Sequence, residues 1–344
     1  MEKILIGMSG GVDSSAAACI LQKDGHSCIG ATMQLHDEAA EQIRDAKAVC
    51  DRMGMDFHVL DMRAPFRYHV QQQFVDAYEG GLTPNPCVVC NKHLKFGLFW
   101  EEAQRLGCTA IATGHYARIG IENATYSLKK AADESKDQSY FLYCIPYHLL
   151  PHIHFPLGDL SKNETRAIAE DNGLINARKK DSQDICFVPD GDYMTFLRHF
   201  TGKDYAPGAY LDMEGKTVGT HKGAVAYTIG QRKGLGLAMG APVYVCAKDM
   251  AANTVTVGPN EALFSTELEA RDWNWLSPVP TAPIRCKAKA RSRMAEQAAT
   301  VYPMNGGTFR VEFDEPQRAI TPGQAVVLYD GDTVLGGGTI TKAV

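Results

Sequence analysis

The sequence predicts a parallel α/β domain, a small middle domain and a C-terminal β-barrel. Three observations carry that reading. Apolar β-type runs alternate with helical segments through the first half. A glycine-rich turn joins the first strand to the first helix. Beyond about residue 202 helical periodicity disappears, and short strand-like runs lie between Gly, Pro and Asn turns. The units are placed at 1–202, 203–262 and 263–344.

Lys3–Gly7 reads as a buried strand, followed by a helix from Ser14 to Lys23 that Gly25 stops. Cys28–Met33 and Asp56–Asp61 are the next strands, with a helical stretch at Ala39–Met53 between them. Lys92–Leu106 reads as a helix ended by Gly107, and Thr109–Thr113 as a fourth strand. Such alternation implies βαβ units, with the ligand site at the carboxyl ends of the strands. Ser161 and Glu164 form a capping box that opens a helix through Glu170. Asp184–Val188 reads as a short strand and Tyr193–Phe200 as a short helix. The later strands are Val243–Ala247, Thr254–Val257, Ile284–Arg293, Thr308–Phe313, Ala325–Tyr329 and Val334–Thr341.

The formal charge is −5, so nothing global advertises a polyanion partner, and any nucleic-acid surface must be local. Ten cysteines, with no leader-like N-terminus and no apolar run of about 18 residues, predict a cytoplasmic chain of reduced thiols with no membrane partner.

The segment Gly7-Met8-Ser9-Gly10-Gly11-Val12-Asp13-Ser14-Ser15 lies between strand and helix. Adjacent glycines permit positive φ, so successive N–H groups can line one concavity. The following helix adds its dipole and free donors, and the serines add hydroxyls. A carboxylate at Asp13 suggests Mg²⁺ bridging it to phosphate. The pattern is neither G-x-x-x-x-G-K-[ST] nor G-x-G-x-x-G. It resembles the PP-loop of ATP pyrophosphatases, which makes ATP the expected cofactor.

Thr83-Pro84-Asn85-Pro86-Cys87-Val88-Val89-Cys90 is a proline-stiffened loop before a helix. A position for Cys90 near the helix start, with Lys92 and Lys95 following, predicts a lowered thiol pKa. C-x-x-C leaves three readings open: half a zinc site lacking its second pair, a dithiol couple, or a reactive Cys90 with a distant partner. Cys186, in Asp184-Ile185-Cys186-Phe187, is the distant candidate, although alone it reads as a core cysteine.

Arg285, Lys287, Lys289, Arg291 and Arg293 alternate with small residues. On one strand they would share a face at about 6.8 Å intervals, close to phosphate spacing. The row is read as a local RNA-backbone contact in an acidic protein. Gly230-Gln231-Arg232-Lys233-Gly234-Leu235-Gly236 is a second basic element, either a phosphate approach or a turn.

The segments GMSGGVDSS (7–15), TPNPCVVCNKHLKFG (83–97), ATGHYAR (112–118), KDQSYFL (136–142), SQDICF (182–187) and YTIGQRKGLG (227–236) occur in one order along the chain. Together they resemble the bacterial and organellar tRNA-specific 2-thiouridylases. The resemblance implies ATP on Gly7, Met8, Ser9, Gly10, Gly11, Val12, Asp13 and Ser14, with Met33 and Gly114 also contacting it. It implies adenylation of the carbon-2 oxygen of the wobble uridine in tRNA for Lys, Glu and Gln. Cys186 would carry a persulfide from an upstream donor, a cysteine desulfurase or sulfur relay protein. Cys90 would be the nucleophile and form a transient disulfide with Cys186. Asn85, Pro86, Cys87, His115, Lys136, Asp137, Gln138, Lys289, Arg291, Ser292, Arg293 and Gln324 would contact tRNA. Some members carry Asp where Cys87 stands, and Arg-Tyr where this chain has Arg291-Ser292. Another adenylating ligase would need neither Cys90 nor Cys186, and a non-catalytic paralogue would have lost Asp13, Cys90 or Cys186.

Overall fold

The computed structural model describes residues 1–174, 176, 185–189 and 191–344. Its first unit is a five-stranded sheet in the order β3-β2-β1-β4-β7, with every neighbouring pair parallel. The strands are β1 (Lys3–Gly7), β2 (Ser27–Gln34), β3 (Asp56–Asp61), β4 (Ala110–Ala112) and β7 (Ile153–His154). Between β4 and β7 an antiparallel hairpin of β5 (Arg118–Glu122) and β6 (Thr125–Lys129) leaves the sheet.

The period-two alternation of β1 sorts the core. Leu5 joins a cluster with Ile111, Phe66, Val70, Leu94 and Phe99, while Ile4 and Ile6 join Val12, Ala18, Leu21 and Val49 on the opposite face. All three β1 side chains are fully buried, each stabilising the fold by about 1.5–3 kcal/mol relative to exposure. Helix α1 (Val12–Lys23) and helix α2 (Ala40–Arg52) cover the second face. The first face is covered by two long helices. One runs Arg63–Phe66, Arg67–Gln72, Gln73–Glu79 and was not evident in the sequence periodicity. The other runs Pro86–Cys90, Asn91–Leu98, Phe99–Arg105. Each has a π-helical middle portion, which slips the hydrophobic repeat and hides the helical period.

Pro86 rather than Lys92 opens the second long helix, with Asn85 as N-cap. Proline at the first helical position has a suitable φ, and its missing N–H costs nothing there. Ser161 forms the expected capping box with Glu164, opening Lys162–Asp171. Ile185–Pro189 forms turns rather than a strand. Asp184 and the Lys179-Lys180 pair lie outside the described residues.

The later residues divide into two sheets. A four-stranded sheet in the order β10-β11-β8-β9 uses β8 (Gly208–Leu211), β9 (Thr217–His221), β10 (Tyr244–Asp249) and β11 (Thr254–Gly258). Then β12 (Phe264–Trp275), β13 (Ile284–Lys289), β14 (Gln297–Pro303), β15 (Phe309–Arg318), β16 (Ala325–Asp330) and β17 (Thr333–Ala343) follow. Pairing of β12 with both β15 and β17 closes these six into a barrel. Closure removes free edges. The hairpin β5–β6 attaches to β17 through Thr333 and Lys129, and Lys130 reaches Glu296 at 3.0 Å. The barrel is thus fastened to the sheet domain.

The basic row departs from expectation. β13 ends at Lys289, and Arg291 begins a turn closed by Met294 N–H donating to the Arg291 carbonyl at 3.2 Å. Five charges therefore do not share one strand face. Arg285 is held by Asp314 at 2.7 Å. Arg291 turns inward, donating to the Ile229 carbonyl at 3.1 Å and to the buried Thr321 hydroxyl, while its Nε is buried without a partner. Lys287 and Arg293 remain exposed, and Lys289 and Ser292 are half-buried.

Candidate active site

Strand order reverses at β1: β2 and β3 extend to one side and β4 lies on the other. In parallel α/β sheets such a switch point opens a crevice at the strand carboxyl ends. Both expected nucleotide segments leave the sheet there. Gly7–Ser15 follows β1, and Thr113-Gly114-His115 follows β4.

The glycine turn is held from below. Gly10 takes φ +69°, and a Cβ on it would stand 2.8 Å from the Gln42 carbonyl oxygen. Asn176, almost fully buried, donates to the Gly10 and Gly11 carbonyls, both at 3.1 Å, and to Ser15 Oγ at 2.9 Å. A carbonyl and the next N–H point oppositely across a trans peptide. Drawing the carbonyls toward Asn176 therefore turns the Val12 N–H to the other side, while the Gly11 N–H donates to Ser9 Oγ at 3.3 Å. The first N–H groups of α1 have no intrahelical acceptors, and together these donors suit a phosphate chain. Ser14 Oγ donates to the Gly11 carbonyl at 3.2 Å and accepts from Ser9 N–H at 3.2 Å. Met8 is buried, Thr32 Oγ1 donates to its carbonyl at 2.7 Å, and Met33 follows half-buried near the end of β2. A Cβ on Gly114 would lie 2.8 Å from both Asp13 C and Ser14 N, so glycine is what lets the β4 loop close on the first turn of α1.

Asp13 is not an open metal ligand. Lys162 Nζ donates to its two oxygens at 2.7 and 2.9 Å, and the Tyr116 hydroxyl donates at 3.0 Å. Among the described residues no group of three His, Cys, Asp or Glu is arranged to hold a metal ion. These residues fit a nucleotide phosphate chain but do not form a dedicated Mg²⁺ site. Lys162, Tyr116 and Asn176 escaped the sequence reading. Lys162 follows the capping-box serine directly, but no spacing connects it to Asp13.

The second part of the site is a cluster of thiols. Cys87 is exposed in the first turn of its helix, while Cys90 lies one turn deeper and is 9% exposed. Cys186 is exposed, and its neighbour Phe187 packs against the apolar cluster that holds Val88 and Cys90, which brings Cys186 within electrostatic reach of Cys90 and Cys87. Phe187 secures the Cys186 turn, its ring lying 5.6, 5.1 and 4.9 Å from Phe66, Phe74 and Phe196. The expected low thiol pKa is not found. Burial pushes Cys90 up; Cys87 and Cys186 keep exposed surface, but the protein crowded around their thiols desolvates them, pushing Cys87 up and, with the neighbouring thiols, Cys186 up to about 12. Cys90 is too far along the helix for the terminal dipole to offset burial. Lys95 pulls all three down, but less strongly than burial raises them.

Several expected RNA contacts have internal roles. Gln324 donates to the Thr83 and Pro84 carbonyls at 3.0 and 3.1 Å, and Thr83 N–H donates to the Pro322 carbonyl at 2.9 Å. The barrel thereby grips the loop leading into Asn85, Pro86 and Cys87. Asp137 accepts from Ala131 N–H at 3.0 Å and from the Ser139 hydroxyl at 2.7 Å. Gln138 Oε1 accepts from Tyr116 N–H at 2.9 Å, which steadies the tyrosine that holds Asp13. Lys136 is half-buried beside them. The Gly230–Gly236 segment is a turn bound to β10, with Gly230 N–H donating to the Val245 carbonyl at 2.8 Å and only Arg232 and Lys233 presenting charge outward.

Comparison with known proteins agrees with this architecture. A tRNA methyl transferase HUP domain profile matches residues 2–190, a PRC-barrel domain profile 194–259 and an aminomethyltransferase β-barrel profile 265–340. The tRNA-specific 2-thiouridylase of Symbiobacterium thermophilum is 44% identical over 362 aligned positions, covering 100% of this chain and 93% of the relative. That of Clostridioides difficile is 43% identical, covering 100% of this chain and 99% of the relative. The chain belongs to the tRNA-specific 2-thiouridylase family. A 4-thiouridine synthetase–RNA complex with bound ATP aligns with 58% of this chain and 50% of its own at 17% identity, with a TM-score of 0.39, too distant to inform the site. Among the described residues no helix is long and apolar enough to cross a membrane.

Proposed function

We propose that this member of the 2-thiouridylase family activates a uridine of tRNA with ATP and replaces its carbon-2 oxygen with sulfur. What supports the reading is the β4 loop, where Gly114 closes on Asp13 of the phosphate-binding turn and His115 lies 3.2 Å from Lys95, the cation that acts on all three thiols. Neither half suffices. A uracil carbonyl is a poor electrophile, and its oxygen leaves only after activation, which adenylation supplies. Gly10, Gly11, Val12 and the serines would hold the triphosphate, Gly114 would close the site, and Met33 would line it. Magnesium would arrive on the nucleotide rather than on Asp13, which keeps Lys162 in place.

In the sulfur step the outer sulfur of a Cys186 persulfide forms the carbon–sulfur bond, and the carbon–oxygen bond breaks with its electron pair leaving on AMP. Cys90 thiolate then attacks Cys186 Sγ. The sulfur–sulfur bond to the substrate breaks, 2-thiouridine is released, and a Cys90–Cys186 disulfide forms. An external dithiol must reduce that disulfide, and a persulfide donor such as a cysteine desulfurase or sulfur relay protein must reload Cys186. The wobble uridine in tRNA for Lys, Glu and Gln is the expected target, with Asn85, Pro86 and Cys87 facing it and Lys289, Ser292 and Arg293 meeting the backbone.

The test is thiolation in vitro with unmodified tRNA-Lys, ATP, Mg²⁺, a persulfide donor and a dithiol, read as 2-thiouridine by mass spectrometry. Wild type gives product. Cys90→Ser and Cys186→Ser give none, yet still release pyrophosphate in the first turnover when tRNA is present. Absence of wild-type product with a donor shown to be competent would reject the sulfur step.

A further inference from the structure

Desolvation by the surrounding protein raises the pKa of Cys87, Cys90 and Cys186, yet sulfur transfer runs through thiolates. One cation acts on all three. Lys95 opposes the rise at each of them, and also at Cys144, which is buried beneath Cys90 with its thiol donating to the Val88 carbonyl at 3.4 Å. Lys92 is exposed and, of these four thiols, acts on Cys144 alone.

The helix geometry explains the difference. Cys90 and Lys95 are five residues apart, which in an α-helix would separate them by about 140°. Asn91–Leu98 is instead π-helical, with Phe99 N–H donating to the Leu94 carbonyl five residues back. The wider i→i+5 turn narrows that angle, which brings Lys95 toward the helix face that carries Cys90 and agrees with its action on that thiol. Such turns recur at functional sites.

Among the described residues no carboxylate pairs with Lys95. Its ammonium lies 3.2 Å from His115 Nε2, and His115 Nδ1 lies 2.7 Å from Thr113 Oγ1. An ammonium only donates, so Nε2 accepts and the ring proton sits on Nδ1, donating to Thr113. This tautomer follows from the network. Burial, reinforced by the Lys95 charge, holds the His115 pKa well below the usual imidazole value, so the ring remains a neutral acceptor. Among the described residues the titratable groups facing Lys95 are His115 and the thiols of Cys87, Cys90, Cys144 and Cys186.

We propose that Lys95 is a catalytic residue of the sulfur site, its ammonium stabilising the Cys90 thiolate and the Cys186 persulfide anion as each reacts. His115 and Thr113 are positioning residues that act through Lys95, aiming its charge at sulfur. The proposal rests on the sulfur chemistry read above and assigns it a cation.

The experiment is alkylation of the full-length chain with iodoacetamide across the thiol titration range, quantified separately at Cys90 and Cys186 by mass spectrometry. Lys95→Met moves both midpoints to higher pH, and Lys95→Arg restores most of the shift. Thr113→Val moves them less in the same direction. In the thiolation assay Lys95→Met slows sulfur transfer, and the AMP release that accompanies it, roughly a hundredfold, while first-turnover pyrophosphate release, which reports adenylation alone, changes far less. Lys95→Gln, with folding checked by thermal denaturation, serves as a second neutral variant if Lys95→Met does not fold. Unchanged midpoints in the neutral variants, or equal shifts in Lys95→Arg and Lys95→Met, would overturn the proposal. Alkylation needs neither tRNA nor donor, so a wild type that makes no 2-thiouridine would sink the functional reading while the midpoints still judged Lys95.

Discussion

The nucleotide turn takes its parts from nine consecutive residues, Gly7–Ser15, whereas the thiol cluster joins Cys87 and Cys90 to a cysteine 96 positions beyond Cys90. The turn is rigid by construction. Its carbonyls are held by Asn176, its serines bond within the turn, and its acid is neutralised by Lys162. The thiols are left less satisfied: burial works against their reactive form, and Lys95 works against burial. The contrast teaches how the two chemistries differ. A phosphate chain is bound by fixed dipoles that need no titration. A sulfur nucleophile must change charge during its cycle, so its surroundings have to balance two states.

Outside the thiol cluster and Lys95, the largest effect should follow from disturbing the rigid half. Lys162→Met leaves Asp13 with Tyr116 but no cation, in a site where Lys162 is 11% exposed. We expect a loss of about 1–3 kcal/mol in denaturant unfolding and a fall in AMP release of roughly tenfold or more. Cys90 alkylation should be unaffected. Altered Cys90 reactivity would show that the two halves are coupled rather than separately built.

Gln324→Ala tests the seam between barrel and catalytic loop. Two loop carbonyls lose their donor, so kcat for thiolation should fall about tenfold from misplacement of Cys87 and Cys90, with KM for ATP constant. A rise in KM for tRNA with kcat constant would instead make Gln324 a direct RNA contact.

The smallest effects concern the basic row. Lys287→Ala and Lys289→Ala should each lower the salt slope of tRNA binding by about 0.7–0.9 if each touches one phosphate. Arg291→Ala should leave the slope unchanged and cost about 1–3 kcal/mol of stability, since its guanidinium bonds Ile229 and Thr321. A reduced slope for Arg291→Ala would return it to the RNA face.

Legibility followed how local each feature is. β1 and β3 have the limits that the periodicity predicts, and the Ser161–Glu164 capping box closes as its spacing requires. The glycine turn was readable because its glycines, serines and helix start are contiguous. The helix at Arg63–Glu79 was hidden by its π-helical centre, and the reach of β13 was overestimated because alternation continued past Lys289 after strand pairing had stopped. The pKa of Cys90 was misjudged for a related reason. Local sequence puts lysines nearby, but only packing decides how much water the thiol loses.

The sequence by itself determined the parallel sheet, the phosphate-binding turn, the barrel and the family, because each rests on contiguous patterns of polarity and glycine. Tertiary structure alone decided that Asp13 pairs with Lys162, that Gln324 grips the Cys87 loop, that Arg291 faces inward, and that Lys95 rather than Lys92 serves the thiols. Those outcomes depend on which distant groups share a desolvated space and on the helical turn that aims each side chain, and neither is written in local spacing.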